Sequence, residues 1–263
     1  MRVSGSTVLV TGATGGIGQS IARVLAGRGA KVVVTGRKVA ELERLAGEVG
    51  GRAVVADLAE MDGVGRLVDE VGAVDVLVAN AALPASGALT EFTAEQVERA
   101  LAVNLAAPVE LARALVPSMV AARRGHVVLI GSLAGKVASA HSSLYNATKF
   151  GLRGFALGLR EDLHGSGVGV SIVQPGFVRD AGMFADTGAK PPAGMRTVSP
   201  EQVAAGVVRA IEENRAEVNV APAELRVLSA VGGAFPALSS GLQRRMSNDE
   251  LMRRMSAANR GKR

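Results

Sequence analysis

Short apolar runs alternate with amphipathic stretches along most of this chain. The amphipathic stretches, among them Ile17–Arg28, Val39–Val49 and Glu60–Val71, repeat their apolar residues at helical spacing. The apolar runs are rich in Val and mostly lack polar alternation, which is typical of strands buried on both faces of a sheet. They lie at Thr7–Thr11, Lys31–Thr35, Arg52–Ala56, Val74–Ala79, His126–Gly131, Val168–Gln174 and, more weakly, Glu217–Val220. This order predicts a single doubly wound α/β domain with about seven parallel strands and helices on both faces.

Two regions interrupt the alternation. Phe177–Pro200 follows the sixth run and is rich in Gly and Pro, which predicts a loop. The second region starts at Pro222, contains the apolar stretch Leu225–Leu242 and ends in the basic tail Arg244–Arg263. We therefore interpret residues 1–221 as one domain that includes the loop 177–200. Residues 222–263 are interpreted as a helical extension with a basic tail, not as a separate domain.

Composition narrows the classes of protein that fit this pattern. The chain has 263 residues, of which 48% are hydrophobic but only 3% aromatic, so we expect a large aliphatic core. It lacks Cys, which excludes disulfides and thiolate metal sites, and its three histidines show no metal-ligand spacing, so we expect no metal. A short polar start and the lack of an unbroken apolar run of about 20 residues predict a cytoplasmic protein.

The charge is concentrated at the C-terminal end. The net charge is +6, and the tail Arg244–Arg263 carries seven Lys or Arg and two Asp or Glu, so it accounts for +5. The tail has no aromatic residue for base stacking and the remainder has no basic motif, so we expect no nucleic-acid partner.

The first predicted strand leads directly into a glycine-rich turn and a helix start, Val8-Leu-Val-Thr-Gly12-Ala-Thr-Gly-Gly16-Ile-Gly18. Glycines let main-chain N–H groups approach a pyrophosphate, and a helix N-terminus adds partial positive charge. The alternative is a tight turn without a ligand. The candidate cofactor-binding residues of this turn are Gly12, Thr14, Gly15, Gly16, Ile17 and Gly18.

The end of the second predicted strand bears on the choice of cofactor. An acidic residue there would bind the ribose 2′-hydroxyl of NAD, but this chain has Gly36-Arg37-Lys38. A carboxylate would repel a 2′-phosphate, whereas a guanidinium can bind it through paired hydrogen bonds. We therefore expect NADP(H) to be favoured over NAD(H), with Arg37 at the 2′-phosphate. The alternative is that Arg37 and Lys38 merely begin a solvated helix.

Three residues in the second half of the chain form a candidate catalytic group. Tyr145 and Lys149 are four residues apart, which places them on one face of a helix, and Ser132 follows the fifth predicted strand. A free tyrosine has a pKa of about 10, and a neighbouring ammonium group lowers it. Taken singly, these residues could be a rim aromatic, a solvated lysine and a helix cap.

Together with Asp57, Asn80, Asn104 and the Thr11–Gly18 turn, this group resembles the short-chain dehydrogenase/reductase family, of the NADP(H)-preferring type, over about Thr7 to Val220. The resemblance implies a Rossmann fold. It also implies that Tyr145 is the general acid/base, that Lys149 lowers its pKa and holds the nicotinamide ribose, and that Ser132 binds the substrate carbonyl.

The resemblance also supplies further candidate residues. It implies that Asn104 links the lysine through water to a proton relay and that Asp57 binds the adenine. The remaining residues that it places at the cofactor are Leu58, Asn80, Ala81, Pro175, Gly176 and Val178, besides Tyr145 and Lys149. Three positions depart from the family pattern: Ala79 replaces Asn, Ala82 replaces Gly, and Asp180 replaces a Thr at the nicotinamide amide. The charge of Asp180 would favour the oxidised, positively charged ring.

We expect an NADP(H)-dependent oxidoreductase that interconverts a hydrophobic ketone and a secondary alcohol. Phe177–Pro200 falls where the family places its substrate lid, and the apolar residues that suggest the pocket are Leu83, Leu133, Phe177, Met183 and Phe184. Two alternatives are a catalytically silent NADP(H)-binding regulator and a membrane-peripheral reductase of a lipid intermediate.

Partners beyond the small-molecule substrate follow from two segments. Members of the family commonly form dimers or tetramers through the helices after the fourth and fifth strands, and Val103–Val120 is apolar enough to do so. The tail has three interpretations: a solvated terminus, a contact with a partner subunit, or a weak contact with an anionic membrane surface. The apolar residues that accompany the tail are Leu225, Val227, Leu228, Val231, Phe235 and Leu238.

Overall fold

A seven-stranded parallel sheet forms the centre of the molecule. The structure, a computed structural model, describes residues 1–60, 62–185, 188, 196–235 and 237. The strands are β1 (Thr7–Val10), β2 (Lys31–Gly36), β3 (Arg52–Val55), β4 (Val76–Ala79), β5 (Gly125–Ile130), β6 (Val168–Pro175) and β7 (Glu217–Val220). Their order is β3-β2-β1-β4-β5-β6-β7, and every neighbouring pair is parallel. The predicted doubly wound fold is confirmed, and the strand order reverses between β1 and β4, where such sheets open a ligand crevice.

Helices connect successive strands and cover both faces of the sheet. They are α1 (Gly16–Gly27), α2 (Val39–Val49), α3 (Gly63–Val71), α4 (Ala94–Leu101), α5 (Ala107–Ala121), α6 (Ser143–Asp162), α7 (Gly182–Ala185), α8 (Pro200–Glu212) and α9 (Ala223–Ala234). A π-helical segment, Ala102–Ala106, joins α4 to α5, and short 3-10 turns lie at Leu89–Glu91 and Leu133–Gly135.

The strands lack polar alternation because both faces of the sheet are covered. Val8 and Val10 point to the face that carries α1, α2 and α8, whereas Leu9 and Leu77 point to the face that carries α3, α5 and α6. All four side chains are fully buried. The sheet therefore separates the two aliphatic cores and holds the ends of its strands in a fixed order.

One helical run in the described residues, Ala94–Ala121, is long and apolar enough to cross a membrane by length and composition alone. In the fold its second half packs on the sheet, with Leu111, Leu115 and Met119 buried in the core beside α3 and α6. This packing accounts for its apolar composition, as it does for the core helices of many globular proteins.

The two regions that interrupt the sequence pattern are partly described. The lid segment contains the short helix α7, and Val178 pairs with Val198 across the base of the segment. Residues 186, 187 and 189–195 of this segment, and the basic tail 244–263, lie outside the described residues. The predicted C-terminal extension begins as the helix α9.

A buried histidine lies at the start of β5. His126 is only 1% exposed, and its Nε2 lies 2.8 Å from Ser171 Oγ. Because the Ser171 hydroxyl donates to the Ala210 carbonyl, it accepts the hydrogen bond from His126 Nε2–H. Burial, together with the positive charges of the N-terminus and Arg160, lowers the pKa of His126 to about 3, so the folded imidazole is neutral.

We predict that His126 makes the fold sensitive to acid. The unfolded imidazole binds a proton near pH 6.5 and the folded one only near pH 3, so protons favour the unfolded state between these values. The free energy of unfolding should fall by up to about 1.4 kcal/mol per pH unit as the pH drops below about 6. Denaturant melts should be recorded from about pH 4 to about pH 7, which covers most of the interval between the unfolded and folded pKa of His126. They should show this slope in the wild type, and His126→Gln should lose it.

The matched control is His164→Gln, because His164 is exposed. This variant should keep the wild-type dependence on pH. An equal slope in His126→Gln and the wild type would contradict the prediction.

Candidate active site

The turn between β1 and α1 is held against the end of β4. Gly12 has φ +61°, and a Cβ at this position would lie 2.7 Å from Ala81 Cα. The side-chain amide of Asn80 donates to the carbonyls of Thr11 and Gly12 at 3.0 and 3.1 Å. The Thr11 hydroxyl accepts in return from the main-chain N–H groups of Asn80 and Ala81, both at 3.0 Å. The turn is therefore fixed by four hydrogen bonds to the neighbouring strand end.

The N-terminus of α1 has no side-chain cap. Gly15 is the N-cap residue and has no side chain to bond the first-turn N–H groups, and the first turn contains no acidic residue. A Cβ at Gly18 would overlap the Gly12 carbonyl, so this glycine permits close packing of helix on turn. A Cβ at Gly36 would lie 3.3 Å from Thr14 Oγ1, which places the end of β2 beside the same turn. Gly16 and Ile17 complete the first turn of α1.

Arg37 and Asp57 meet at the ends of β2 and β3. Arg37 Nη1 lies 3.6 Å from Asp57 Oδ2, and the Arg37 side chain is 51% exposed. Asp57 Oδ1 accepts from the Ala59 N–H at 3.0 Å, so this carboxylate also caps the turn that follows β3. Leu58 is buried in the core directly after it. Arg37 thus places an accessible positive charge at this end of the crevice.

Ser132, Tyr145 and Lys149 lie together at the carboxyl end of β5. The Ser132 hydroxyl is hydrogen-bonded to the Tyr145 phenol and also accepts from the Ala134 N–H at 3.1 Å. Lys149 Nζ lies 5.7 Å from the centre of the Tyr145 ring and donates to the Ile130 carbonyl at 3.0 Å. The helical spacing of Tyr145 and Lys149 on α6 produces this arrangement, as the sequence suggests.

Burial dominates the electrostatics of this group. It lowers the pKa of Lys149 to about 8. It raises the pKa of Tyr145, and the hydrogen bond with Ser132 opposes this rise. The Lys149 ammonium is directed to a main-chain carbonyl in this arrangement of the side chains. The lowering of the Tyr145 pKa by Lys149 that the sequence suggests therefore stays a prediction for the enzyme with its cofactor bound.

Asn104 lies in the π-helical segment and is 1% exposed. Its Oδ1 accepts from the Leu83 N–H at 2.6 Å, and its Nδ2 donates to the Leu83 carbonyl at 2.9 Å. A π-helical turn inside an α-helix is frequently found at functional sites. Asn104 thereby ties the helix to the segment after β4, next to the residues that fix the glycine turn.

Two further residues hold this site: sequence reasoning assigned no role to Asn146 and named Thr11 only as the start of the glycine turn. Asn146 is 6% exposed, donates to the Ala134 and Val137 carbonyls and accepts from the Ser139 N–H. It therefore fastens the loop after Ser132 to the helix that carries Tyr145 and Lys149. Thr11 has the corresponding role at the glycine turn. The sequence feature that could have indicated Asn146 is its position directly after Tyr145 on the same predicted helix.

The segment after β6 closes the other side of the crevice. Pro175 ends the strand, Gly176 follows, and Val178 is 6% exposed in the core. A Cβ at Gly16 would overlap the Ala181 methyl group, so this segment packs directly on the N-terminus of α1. Asp180 has φ +65°, is 72% exposed and pairs with Arg179 at 3.4 Å.

The other two departures from the family pattern lie after β4. Ala79 is 3% exposed in the apolar core, so a methyl group at this position leaves no buried polar atom without a partner. Ala82 is half-buried directly before Leu83.

Comparisons with known proteins agree with this geometry. A family model described as short chain dehydrogenase matches residues 6–192. Ketoacyl reductase HetN of Nostoc sp. is 37% identical over 227 residues, which span 83% of this chain and 79% of that protein. Dehydrogenase/reductase SDR family member 7B of Mus musculus is 33% identical over 186 residues, which span 66% of this chain and 58% of the mouse protein.

Among solved structures, a short-chain dehydrogenase from Sphingobium yanoikuyae in complex with NADPH superposes with a TM-score of 0.78 at 27% identity. The match covers 89% of this chain and 95% of that one. A parallel sheet with this strand order, the glycine turn and the matched family model lead to one assignment. This chain belongs to the short-chain dehydrogenase/reductase family and is an NAD(P)-dependent oxidoreductase acting on CH–OH groups.

Proposed function

We propose that this protein is an NADP(H)-dependent oxidoreductase that interconverts hydrophobic ketones and secondary alcohols, with Tyr145 as the general acid/base. The observation that carries the proposal is the hydrogen-bonded Ser132–Tyr145 pair with Lys149 beside it at the carboxyl end of β5. A silent regulator that only binds NADP(H) would not need this group, so we set that alternative aside.

The residues of the crevice fit a dinucleotide. The uncapped N-terminus of α1 and the exposed guanidinium of Arg37 suit a pyrophosphate and a 2′-phosphate. We assign the binding of the pyrophosphate to the residues of the glycine turn, which are Gly12, Thr14, Gly15, Gly16, Ile17 and Gly18. We assign the binding of the adenosine end to Arg37, Asp57 and Leu58. The residues that we assign to the nicotinamide end are Asn80, Ala81, Tyr145, Lys149, Pro175, Gly176 and Val178. When bound, the nicotinamide supplies or accepts the hydride at the substrate carbon.

Arg37 supports a preference for the phosphorylated cofactor. Its only ion pair in the described residues is the long one to Asp57, so its N–H donors are largely free to bind a phosphate. The relative from Sphingobium yanoikuyae was solved with NADPH, which agrees with this choice.

The proton moves at Tyr145 Oη. In the reductive direction the neutral phenol, whose pKa is raised by burial, gives its proton to the substrate oxygen. The Ser132 hydroxyl bonds the same oxygen and stabilises the negative charge that develops on it. In the oxidative direction Tyr145 takes the proton back. We assign the resupply of this proton to Lys149 and Asn104. Because both polar ends of the Asn104 side chain already bond Leu83, a relay water would bond its main-chain carbonyl.

Apolar side chains around this group support a hydrophobic substrate. The rings of Phe177 and Phe184 contact each other at a centroid distance of 4.9 Å at the start of the lid. Leu225 of α9 and Leu133 both lie close to Gly176. An acyl chain fits these walls, and the name of the Nostoc relative, a ketoacyl reductase, favours β-ketoacyl thioesters among the ketones to test first.

We predict that Tyr145→Phe removes catalysis and keeps cofactor binding. The change deletes only the hydroxyl that gives the proton, so kcat should fall by about 10²–10⁴-fold while the Kd for NADPH changes little. The measurement is NADPH oxidation with a panel of hydrophobic ketones, together with calorimetric titration of NADPH.

The control for this prediction is Thr148→Val on the same helix. Thr148 is fully buried and bonds only the Tyr145 carbonyl among the described residues, so this variant reports effects on helix packing. Turnover by Tyr145→Phe close to that of the wild type would refute the assignment of the general acid.

We also predict that Arg37 sets the cofactor preference. Loss of hydrogen bonds from a charged group to a phosphate costs about 1.5–3 kcal/mol, so Arg37→Ala should weaken NADPH binding by about 10- to 150-fold and leave NADH nearly unchanged. Lys38→Ala is the matched control, because Lys38 pairs with Glu41 on the helix surface. A preserved preference for NADPH in Arg37→Ala would exclude Arg37 as its origin.

A further inference from the structure

A partly buried ion cluster connects β7 to the two elements that carry the candidate catalytic group. Glu217, the first residue of β7, accepts from Lys136 Nζ at 2.7 Å through one carboxylate oxygen and from Arg153 Nε through the other. The side chains of Glu217, Lys136 and Arg153 are 21%, 11% and 34% exposed. Burial would raise the pKa of Glu217, but the hydrogen bonds from Arg153 and Lys136 hold it below its usual value. The carboxylate is therefore charged at neutral pH, and we call these three residues the Glu217 clamp.

Lys136 ends the turn that begins at Ser132. Ser132 is the N-cap of the 3-10 turn Leu133–Gly135, and the Lys136 N–H donates to the Leu133 carbonyl at 2.9 Å. The Gly135 N–H donates to the Ser132 carbonyl, also at 2.9 Å. Because main-chain hydrogen bonds join the two ends of this turn, a displacement of Lys136 also displaces Ser132.

Arg153 lies on the helix that carries the other two residues of the catalytic group. It follows Lys149 by four residues on α6, so the two lie on the same side of the helix. The turn after Ser132 packs on this helix, since a Cβ at Gly135 would lie 2.6 Å from the Lys149 carbonyl oxygen. The Glu217 clamp thus ties together the two elements whose contact produces the hydrogen bond between Ser132 and Tyr145.

Loss of the carboxylate would leave two cations side by side in a partly shielded place. Lys136 and Arg153 bond the same carboxylate, so their charged groups lie close together. The helix α9 packs on this place, because a Cβ at Gly233 would lie only 3.2 Å from the Lys136 carbonyl oxygen. Since repulsion between like charges is stronger where water is scarce, it would push Lys136 and its turn away from α6.

We propose that Glu217 is a positioning residue of the active site: its carboxylate holds Lys136 to Arg153 and thereby keeps the Ser132 hydroxyl in hydrogen-bonding position toward Tyr145. In this role Glu217 acts through the turn after Ser132 and not on the substrate. The consequence for turnover rests on the proposed function, whereas the effect on the hydrogen bond between Ser132 and Tyr145 does not.

The first test observes the Tyr145 phenol in the full-length protein without cofactor or substrate. Tyr145 is the only tyrosine of the chain, so isotope-labelled tyrosine gives a single phenol signal in NMR spectra. Ser132→Ala lacks the hydroxyl and therefore sets the position of this signal when the hydrogen bond is lost. The signal of Glu217→Gln, which removes the charge at nearly constant volume, should move most of the way from the wild-type position to that of Ser132→Ala. A signal at the wild-type position would overturn the proposal.

A second variant and a control accompany this test. Lys136→Met keeps the pair of Glu217 and Arg153 and removes only the link to the turn, so it should displace the signal in the same direction. The matched control is Glu48→Gln, because Glu48 also bridges two arginines, but on the surface of α1 and α2. It should keep the wild-type signal, and thermal melts check that every variant is folded. An unchanged signal in Lys136→Met, or an equal displacement in Glu48→Gln, would also contradict the proposal.

Turnover gives the second measurement. The kcat of Glu217→Gln should fall by about 10- to 100-fold, because a small misplacement of a group in the site has an effect of this order, while the Kd for NADPH stays the same. In the Ser132→Ala background the same change should lower kcat much less, because residues that act through one another have non-additive effects. An equal factor in both backgrounds would show a merely structural role for Glu217 and overturn the proposal. Lack of turnover by the wild type would instead refute the proposed function, and the NMR result would then decide on the clamp.

Discussion

A parallel sheet brings the last residue of every strand to the same edge, and this constraint determines where chemistry can occur in this chain. The glycine turn follows β1, Arg37 follows β2, Asp57 follows β3, Asn80 follows β4 and Ser132 follows β5. These residues are far apart in sequence and meet only because the strands lie in register between two buried aliphatic cores. The site thus depends on the burial of Val and Leu side chains that have no chemistry of their own.

Side-chain amides convert this edge into a defined site. Asn80 bonds the glycine turn, Asn104 bonds the segment after β4, and Asn146 bonds the loop after Ser132. In each case the side-chain amide satisfies main-chain groups of a loop, and Asn104 and Asn146 do so as both donor and acceptor. The hydroxyl groups that we propose to act in catalysis are consequently held in place before any ligand arrives, as differential stabilisation of a transition state would require.

The fold could be predicted from sequence because its determinants are local. Unalternated Val-rich runs located the strands to within about two residues, and Val39–Val49 and Glu217–Val220 agree with α2 and β7 at both ends. The glycine turn and the spacing of Tyr145 and Lys149 are local too. The direction of the Lys149 ammonium group is not determined locally, because this group donates to the Ile130 carbonyl on a neighbouring strand. The π-helical turn at Asn104 and the bonds of Asn146 likewise depend on contacts that helical periodicity does not reveal.

The same limit applies to α9, whose sequence shows apolar residues on more than one side without indicating which of them are covered. A helix that is apolar on one side only is explained by the core beneath it, but α9 buries Leu225 against the site and still exposes Val227 and Phe235. Water contact with these side chains costs free energy that burial would recover, about 25 cal/mol per Å² of apolar surface.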